Sequence, residues 1–319
     1  MPTHHRQEMS RTSSVTPLRI GTRASPLALW QAEHVRAGLL RAHPEIPVEI
    51  VPMTTQGDRM LAVPLHEIGG KGLFVKEIEA ALLEGTVDLA VHSMKDVPAQ
   101  QPEGLEIAAI LAREDVRDAW VSNTFARPED LPQGGRVGSS SLRRRAQLLH
   151  RLPQTVVLDL RGNVATRLRK LDAGDYDGIV LAAAGLKRLG LLERIRHYLE
   201  PELSLPAVGQ GAIGVEIRSD DARTRTLLEP LNDPTTSRCV GAERHMNRLL
   251  GGDCRLPVAA LAEADGTGLR LRGLVASPDG RELLRAEAVG SLAHSVGEQV
   301  AQALLAQGAQ HIIDEVKRA

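Results

Sequence analysis

Aromatic residues are almost missing from this chain: two Phe, two Tyr and two Trp make up 2% of 319 residues. The core must therefore be built from Leu, Val, Ile and Ala. Little remains with which to stack on bases, which argues against single-stranded nucleic-acid binding. Cysteine is as scarce. Cys239 and Cys254 are the whole supply, and their spacing suits neither a disulfide framework nor a zinc site. That fits a reducing compartment, and the expected location is the cytoplasm. Net charge is nearly absent, at −1 from 39 basic and 40 acidic residues, so nothing draws the whole chain to nucleic acid or membrane. No apolar run approaches a membrane span. Residues 1–16 lack the apolar segment of a secretory signal and read as a disordered tail.

What is present reads as two or three soluble domains. Leu18–Gly21 begins a strand, and Ser25 with Pro26 reads as the cap and first position of a helix over 27–42. Val48–Met53 is a second strand. Residues 59–72 read as a mobile loop, and a helix over 73–84 follows with Phe74, Ile78 and Leu82 on one face. Val87–Val91 is a buried strand, giving a β-α-β-α-β order and a parallel sheet. A similar α/β unit spans 112–211, with strands at 105–111, 119–122, 156–160 and 178–184 around and within it and helices at 142–150, 164–173 and 186–192. Residues 205–217 read as a crossing back to the first unit. Two crossings, near 112–118 and 205–211, predict a hinged pair of lobes. The last part of the chain is built differently. It reads as a helix over 235–250, a three-stranded antiparallel meander over 258–288 turned by Asp265-Gly266 and Pro278-Asp279-Gly280, and two final helices. The fold class is α/β: two hinged lobes like periplasmic binding proteins plus a small C-terminal α+β domain. The boundaries are 17–111 with 212–230, 112–211, and 231–319.

Several motifs fail on context. Gly209-x-Gly211-x-x-Gly214 matches the dinucleotide fingerprint but leads into a strand rather than into a helix. Gly70-Lys71 lacks the first Gly and the Ser/Thr of a phosphate loop, and Gly138-x-Ser140 lacks the last Gly of a nucleophile elbow. His4-His5 has no partner ligands nearby, so no metal site is expected.

The basic residues carry more. Lys95 and Asp96 follow the carboxyl end of the strand 87–91, where ligands bind in open α/β sheets. Arg143, Arg144 and Arg145 lie in the first turn of a helix after Ser139-Ser140-Ser141. The helix dipole disfavours such cations by about 0.3–1 kcal/mol each, and a bound anion would reverse the sign. Arg23 and Arg161 also close strands, and Arg167 lies on the next helix. Any one of these alone reads as a solvated charge. Together they converge on one cleft of guanidinium forks suited to a small polyanion. Cys254, on the turn Gly251-Gly252-Asp253-Cys254-Arg255-Leu256-Pro257, is either a nucleophile or a structural thiol. Cys239 reads as buried within a helix.

At these residues the chain resembles the porphobilinogen deaminase (hydroxymethylbilane synthase) family. The resemblance rests on Gly21–Ala28, Gly69–Phe74, His92–Pro98, Ser140–Arg144, Leu160–Val164, Pro206–Gly211 and the Cys254 turn. It implies a transferase with a dipyrromethane cofactor joined to Cys254 by a thioether. Four porphobilinogens then add in turn, each losing ammonia, and hydrolysis frees hydroxymethylbilane for haem biosynthesis. Asp96 is implied as the catalytic carboxylate, stabilising the cationic azafulvene left when ammonia departs. Arg23, Ser25, Lys95, Ser141, Arg143, Arg144, Arg161 and Arg167 are implied as holders of acetate and propionate groups. Phe74 is implied to pack on the cofactor, loop 59–72 to cover the cleft, and the protein to be a monomer. The alternative is a carboxylate-binding protein without catalysis on the same scaffold, which would need neither Cys254 nor Asp96.

Overall fold

The computed structural model describes residues 16–59, 72, 74–252 and 256–318. Loop 59–72, apart from its two ends, and the cofactor-cysteine assignment at Cys254, with Asp253 and Arg255, lie outside the described residues.

The first unit runs β1 (Leu18–Arg23), α1 (Pro26–Ala42), β2 (Val48–Met53), α2 (Gln56–Arg59), α3 (Lys76–Leu83), β3 (Leu89–Ser93) and β4 (Leu105–Ile110). The second runs β5 (Asp118–Val121), β6 (Arg136–Gly138), α4 (Leu142–Arg151), β7 (Val156–Leu158), α5 (Val164–Asp172), β8 (Gly178–Ala182), α6 (Ala183–Arg188) and β9 (His197–Leu199). Then β10 (Ile213–Arg218) returns to the first sheet, whose order is β2-β1-β3-β10-β4, while the second sheet is ordered β7-β6-β8-β5-β9. After α7 (Ala222–Leu228) and α8 (Pro234–Leu249), the strands β11 (Val258–Asp265), β12 (Gly268–Ala276) and β13 (Leu283–Gly290) form an antiparallel meander backed by α9 (Ala293–Ala306) and α10 (Ala309–Arg318).

Local chemistry explains these elements. Ser25 caps α1 by accepting the Ala28 N–H, with Pro26 at the first helical position. The helix buries Ala32, Val35 and Leu39, one helical stripe, against Ile20, Leu89 and Val91 of the sheet. The scarcity of aromatics leaves this core aliphatic. The third unit follows the same rule, with Met246, Leu271, Val300, Leu304 and Ile313 at its centre and Cys239 buried on α8 beside them.

The glycines of the 209–214 pattern serve packing rather than phosphate binding. A Cβ on Gly211 would lie 2.4 Å from the Glu114 carbonyl oxygen, and one on Gly214 would lie 2.1 Å from the Met94 sulfur. The first lets the two crossing segments touch, and the second admits Met94 beneath the strand. Both crossings are fastened to α8 by Glu243. This fully buried carboxylate accepts Arg113 Nη1 at 2.6 Å, Arg113 Nη2 at 3.1 Å, the Gly209 N–H at 2.7 Å and the Ala262 N–H at 2.8 Å.

Several expectations are corrected. The first sheet is mixed rather than parallel, because β10 runs antiparallel to both β3 and β4. The helix expected from Leu73 starts at Lys76, which leaves Phe74 in the preceding turn. The helix expected over 186–192 is α6, one turn earlier, and Gly190 at φ +71° follows its end. Strands β6 and β9 and helices α2 and α7 are not expected from the sequence; all are short and lack a periodic apolar stripe.

Candidate functional site

The site lies where β1, β3, β6 and β7 end. At the end of β3 the chain makes a short 3-10 turn over Met94–Asp96. Met94 is buried and its N–H bonds to the Ala212 carbonyl at 3.0 Å, so one side of the turn is nailed into the sheet. Arg244 of α8 holds the other side, donating to the carbonyls of Val97, Pro98 and Ala99 and to Gln101 Oε1. Between these anchors Lys95 and Asp96 are both half-buried. Among the described residues Asp96 has no hydrogen-bond partner and interacts with Lys95 and Arg167 through charge alone. Burial pushes Lys95 down to about 8, opposed by Asp96 and Asp118 and reinforced by Arg144 and Arg167.

Arg167 is felt from the same centre. Desolvation lowers it to about 10; Arg144, Arg161 and Arg23 push in the same direction, and Asp96 opposes them. Its Nε donates to the Gly162 carbonyl at 2.8 Å. Arg161 is also lowered by burial, and its Nη1 is a buried donor with no acceptor. Leaving such a donor unmet costs about 1–3 kcal/mol. Residues of the first lobe (Arg23, Lys95, Asp96) and of the second (Arg144, Arg161, Arg167) thus share one electrostatic neighbourhood. Arg23 pairs with Asp58 and stacks over the Phe74 ring at 4.4 Å, so Phe74 packs against a cation of the cluster.

Other expected residues have internal duties. Ser25 and Ser141 are helix caps, Ser141 accepting the Arg144 N–H. The picture of unpaired cations opening α4 is corrected: Arg143 and Arg144 are buried and share Asp118, which is wholly buried and held far below the usual carboxylate range by the two arginines. Arg145 donates weakly to the Val157 carbonyl at 3.5 Å. Sequence reading missed Asp118, whose partners are remote in the chain. It also missed Arg188 of α6, which reaches the Gly211 carbonyl and the Trp30 ring of α1 and so bridges the lobes. The approach to the cysteine turn is close to the Asp96 turn, since a Cβ on Gly252 would lie 3.0 Å from the Ala99 Cβ.

Behind β3 sits a second ionisable group. His92 Nε2 lies 3.0 Å from Glu216 Oε2, and Glu216 Oε1 is buried without a partner. Glu79 on α3 is pushed up to about 7 by burial and then by Glu216, with His92 and Lys76 opposing.

Two α/β lobes joined by two crossings bring cations from both around Asp96, which has no hydrogen-bond partner among the described residues. Comparison with known proteins carries this further. Residues 18–226 match the family model described as porphobilinogen deaminase, dipyromethane cofactor binding domain, and residues 237–306 match the porphobilinogen deaminase C-terminal domain. Porphobilinogen deaminases from two strains of Acidithiobacillus ferrooxidans are each 70% identical over 302 residues, covering 95% of this chain and 99% of theirs. The chain belongs to the porphobilinogen deaminase family. Among solved structures, a nutrient binding protein from Burkholderia cenocepacia bound to methionine is 15% identical with a TM-score of 0.44, covering 69% of this chain and 93% of its own. A periplasmic substrate-binding protein of an ABC transporter from Coxiella burnetii is also 15% identical at 0.44, covering 69% and 95%.

Proposed function

We propose that this chain is the transferase that condenses four porphobilinogens into hydroxymethylbilane with release of ammonia, on a dipyrromethane primer held by a thioether to Cys254. The observation that carries the reading is the cluster of cations around Asp96, which accepts no hydrogen bond from any described residue, in a chain whose residues 18–226 and 237–306 match this family. In this reading the chain divides into 17–111 with 212–230, 112–211, and 231–319, and acts as a cytoplasmic monomer without nucleic acid or membrane. Among the described residues no helix is long and apolar enough to cross a membrane.

The cleft suits the cofactor chemically. Each pyrrole carries an acetate and a propionate, and the buried, unmet Arg161 Nη1 calls for an acceptor of that kind. Arg23, Lys95, Arg144, Arg161 and Arg167 would hold these carboxylates, with Ser25, Ser141 and Arg143 behind them and Phe74 as an apolar wall. When bound, dipyrromethane supplies the free pyrrole carbon to which the first substrate is joined. Asp96 accepts the pyrrole N–H of the substrate and stabilises the positive charge that develops as ammonia leaves. It is suited to this because, among the described residues, Lys95 and Arg167 act on it through charge and no hydrogen bond from either ties up its oxygens. Lys95, poised near neutrality, provides charge to a substrate carboxylate and gains its proton more firmly once that anion is present. The anchors at Met94 and Arg244 hold this turn still while substrates exchange.

The test is the intact mass of the denatured protein with a peptide map. The expected result is a mass above that of the sequence by two linked pyrroles, located at Cys254, lost in Cys254→Ser and kept in Cys239→Ser. An unmodified mass that persists after incubation with porphobilinogen would overturn the reading and favour a carboxylate-binding protein.

A further inference from the structure

The Asp118 carboxylate collects donors from three parts of the chain. Oδ1 accepts Arg144 Nε at 3.0 Å, Arg144 Nη2 at 2.7 Å and Gln210 Nε2 at 3.0 Å. Oδ2 accepts Arg143 Nη1 at 2.9 Å and Ser204 Oγ at 2.8 Å. The surrounding bonds extend the lock. Arg143 Nη1 also reaches the Leu205 carbonyl at 2.6 Å, Gln147 exchanges bonds with Leu205, and Gln210 Nε2 reaches the Val116 carbonyl at 2.7 Å. Asp118 itself opens β5 at the end of the first crossing, and Ser204, Leu205 and Gln210 belong to the second. One buried anion therefore joins α4 to both crossings.

The charge does not balance here. Two guanidinium groups face one carboxylate, so a net positive charge remains. Arg144 has five N–H donors. Its Nε and one N–H of Nη2 go to Asp118, one N–H of Nη1 goes to the Val180 carbonyl at 3.1 Å, and the others are uncommitted among the described residues. Arg144 also lies within the field of Lys95 and Arg167, the cleft cations. A planar fork gripped along one edge has its orientation set, and the rest of its charge is available along the other.

We propose that Asp118 is a positioning residue for chain elongation, gripping Arg144 so that its remaining donors serve substrate carboxylates and tying that grip to the two crossings through Ser204 and Gln210. This rests on the proposed deaminase reading. Asp118 touches no substrate and acts through Arg144. It also couples substrate grip to lobe position: a rotation that moves the second crossing moves two donors of the carboxylate that orients the fork.

The experiment uses the full-length holoenzyme. Wild type is first checked for the covalent adduct and for turnover; failure there defeats the deaminase reading rather than this one. KM and kcat for porphobilinogen are then measured for Asp118→Asn and for Ser204→Ala, each alone and in an Arg144→Lys background. Asp118→Asn should raise KM at least tenfold with kcat changed less than threefold. Ser204→Ala keeps the charge and removes one donor, so it folds even if Asp118→Asn does not, and should raise KM two- to fivefold. In the Arg144→Lys background, where the fork is gone, Ser204→Ala should change KM by less than 1.5-fold. An equal Ser204→Ala effect in both backgrounds, or a loss confined to kcat, would overturn the proposal and leave Asp118 as a part of the scaffold only.

Discussion

Replacing Glu79 by Gln should stabilise this protein at alkaline pH and do far less in acid. Glu79 is 7% exposed on α3 and is pushed from 4.5 to about 7. The groups acting on it are Lys76 on its own helix, His92 on β3 and Glu216 on β10, and Glu216 in turn feels the charge of Arg244 on α8. The folded state binds the Glu79 proton more tightly than the unfolded chain does. Stability from this group is therefore full below pH 4.5 and is lost as pH rises through the window from 4.5 to about 7. At pH 8 the penalty is about 3 kcal/mol, and at pH 5 it is about 1 kcal/mol. Glutamine keeps the shape and cannot ionise. Urea denaturation followed by circular dichroism, at pH 5 and pH 8, should show Glu79→Gln gaining about 2 kcal/mol more over wild type at the higher pH. Both proteins share every other group, so the difference isolates Glu79 to first order. An equal change at the two pH values, or a loss at pH 8, would refute the reasoning.

Asp96→Asn should keep the thermal midpoint and the covalent adduct while lowering kcat by about 100-fold or more; near-normal turnover would remove Asp96 from its role. Burial pushes Lys95 down to about 8, so kcat/KM for porphobilinogen should fall as pH rises from 7 to 9. Lys95→Arg should move that limb upward, and an unmoved limb would assign it to another group. Glu243→Ala should destabilise by about 3–5 kcal/mol, because Arg113 is left buried without its partner. A calorimetric midpoint within a degree of wild type would contradict the central place given to that carboxylate.

The parts of the fold that local chemistry decides were readable from the chain. Ser25 and Pro26 start α1, Ser141 caps α4, and Gly266 and Gly280 take positive φ in the turns of the meander. The sequence places Arg23, Lys95, Asp96 and Arg161 at strand ends, and in the fold they share one electrostatic neighbourhood with Arg167. What failed to show was set by long-range contact. Asp118 lies 25 and 26 residues from its arginines and 86 and 92 from Ser204 and Gln210, so no window of sequence displays the set. The periodic trio Phe74, Ile78 and Leu82 suggested a helix through all three. Its first member instead stacks under Arg23, and α3 begins after it without a side-chain cap at Val75.

The placing of β10 between β3 and β4 has a consequence for how the chain is made. On the ribosome, β1 to β4 emerge first, yet β3 and β4 do not pair with each other. Their facing edges stay open until the chain has run from Ile110 to Ile213 and the last strand arrives. By then the whole of the second sheet has been synthesised and can close by itself. The later-made lobe is thus free to finish before the earlier one, and the nascent first lobe carries two unpaired strand edges in the meantime, the kind of surface that chaperones shield.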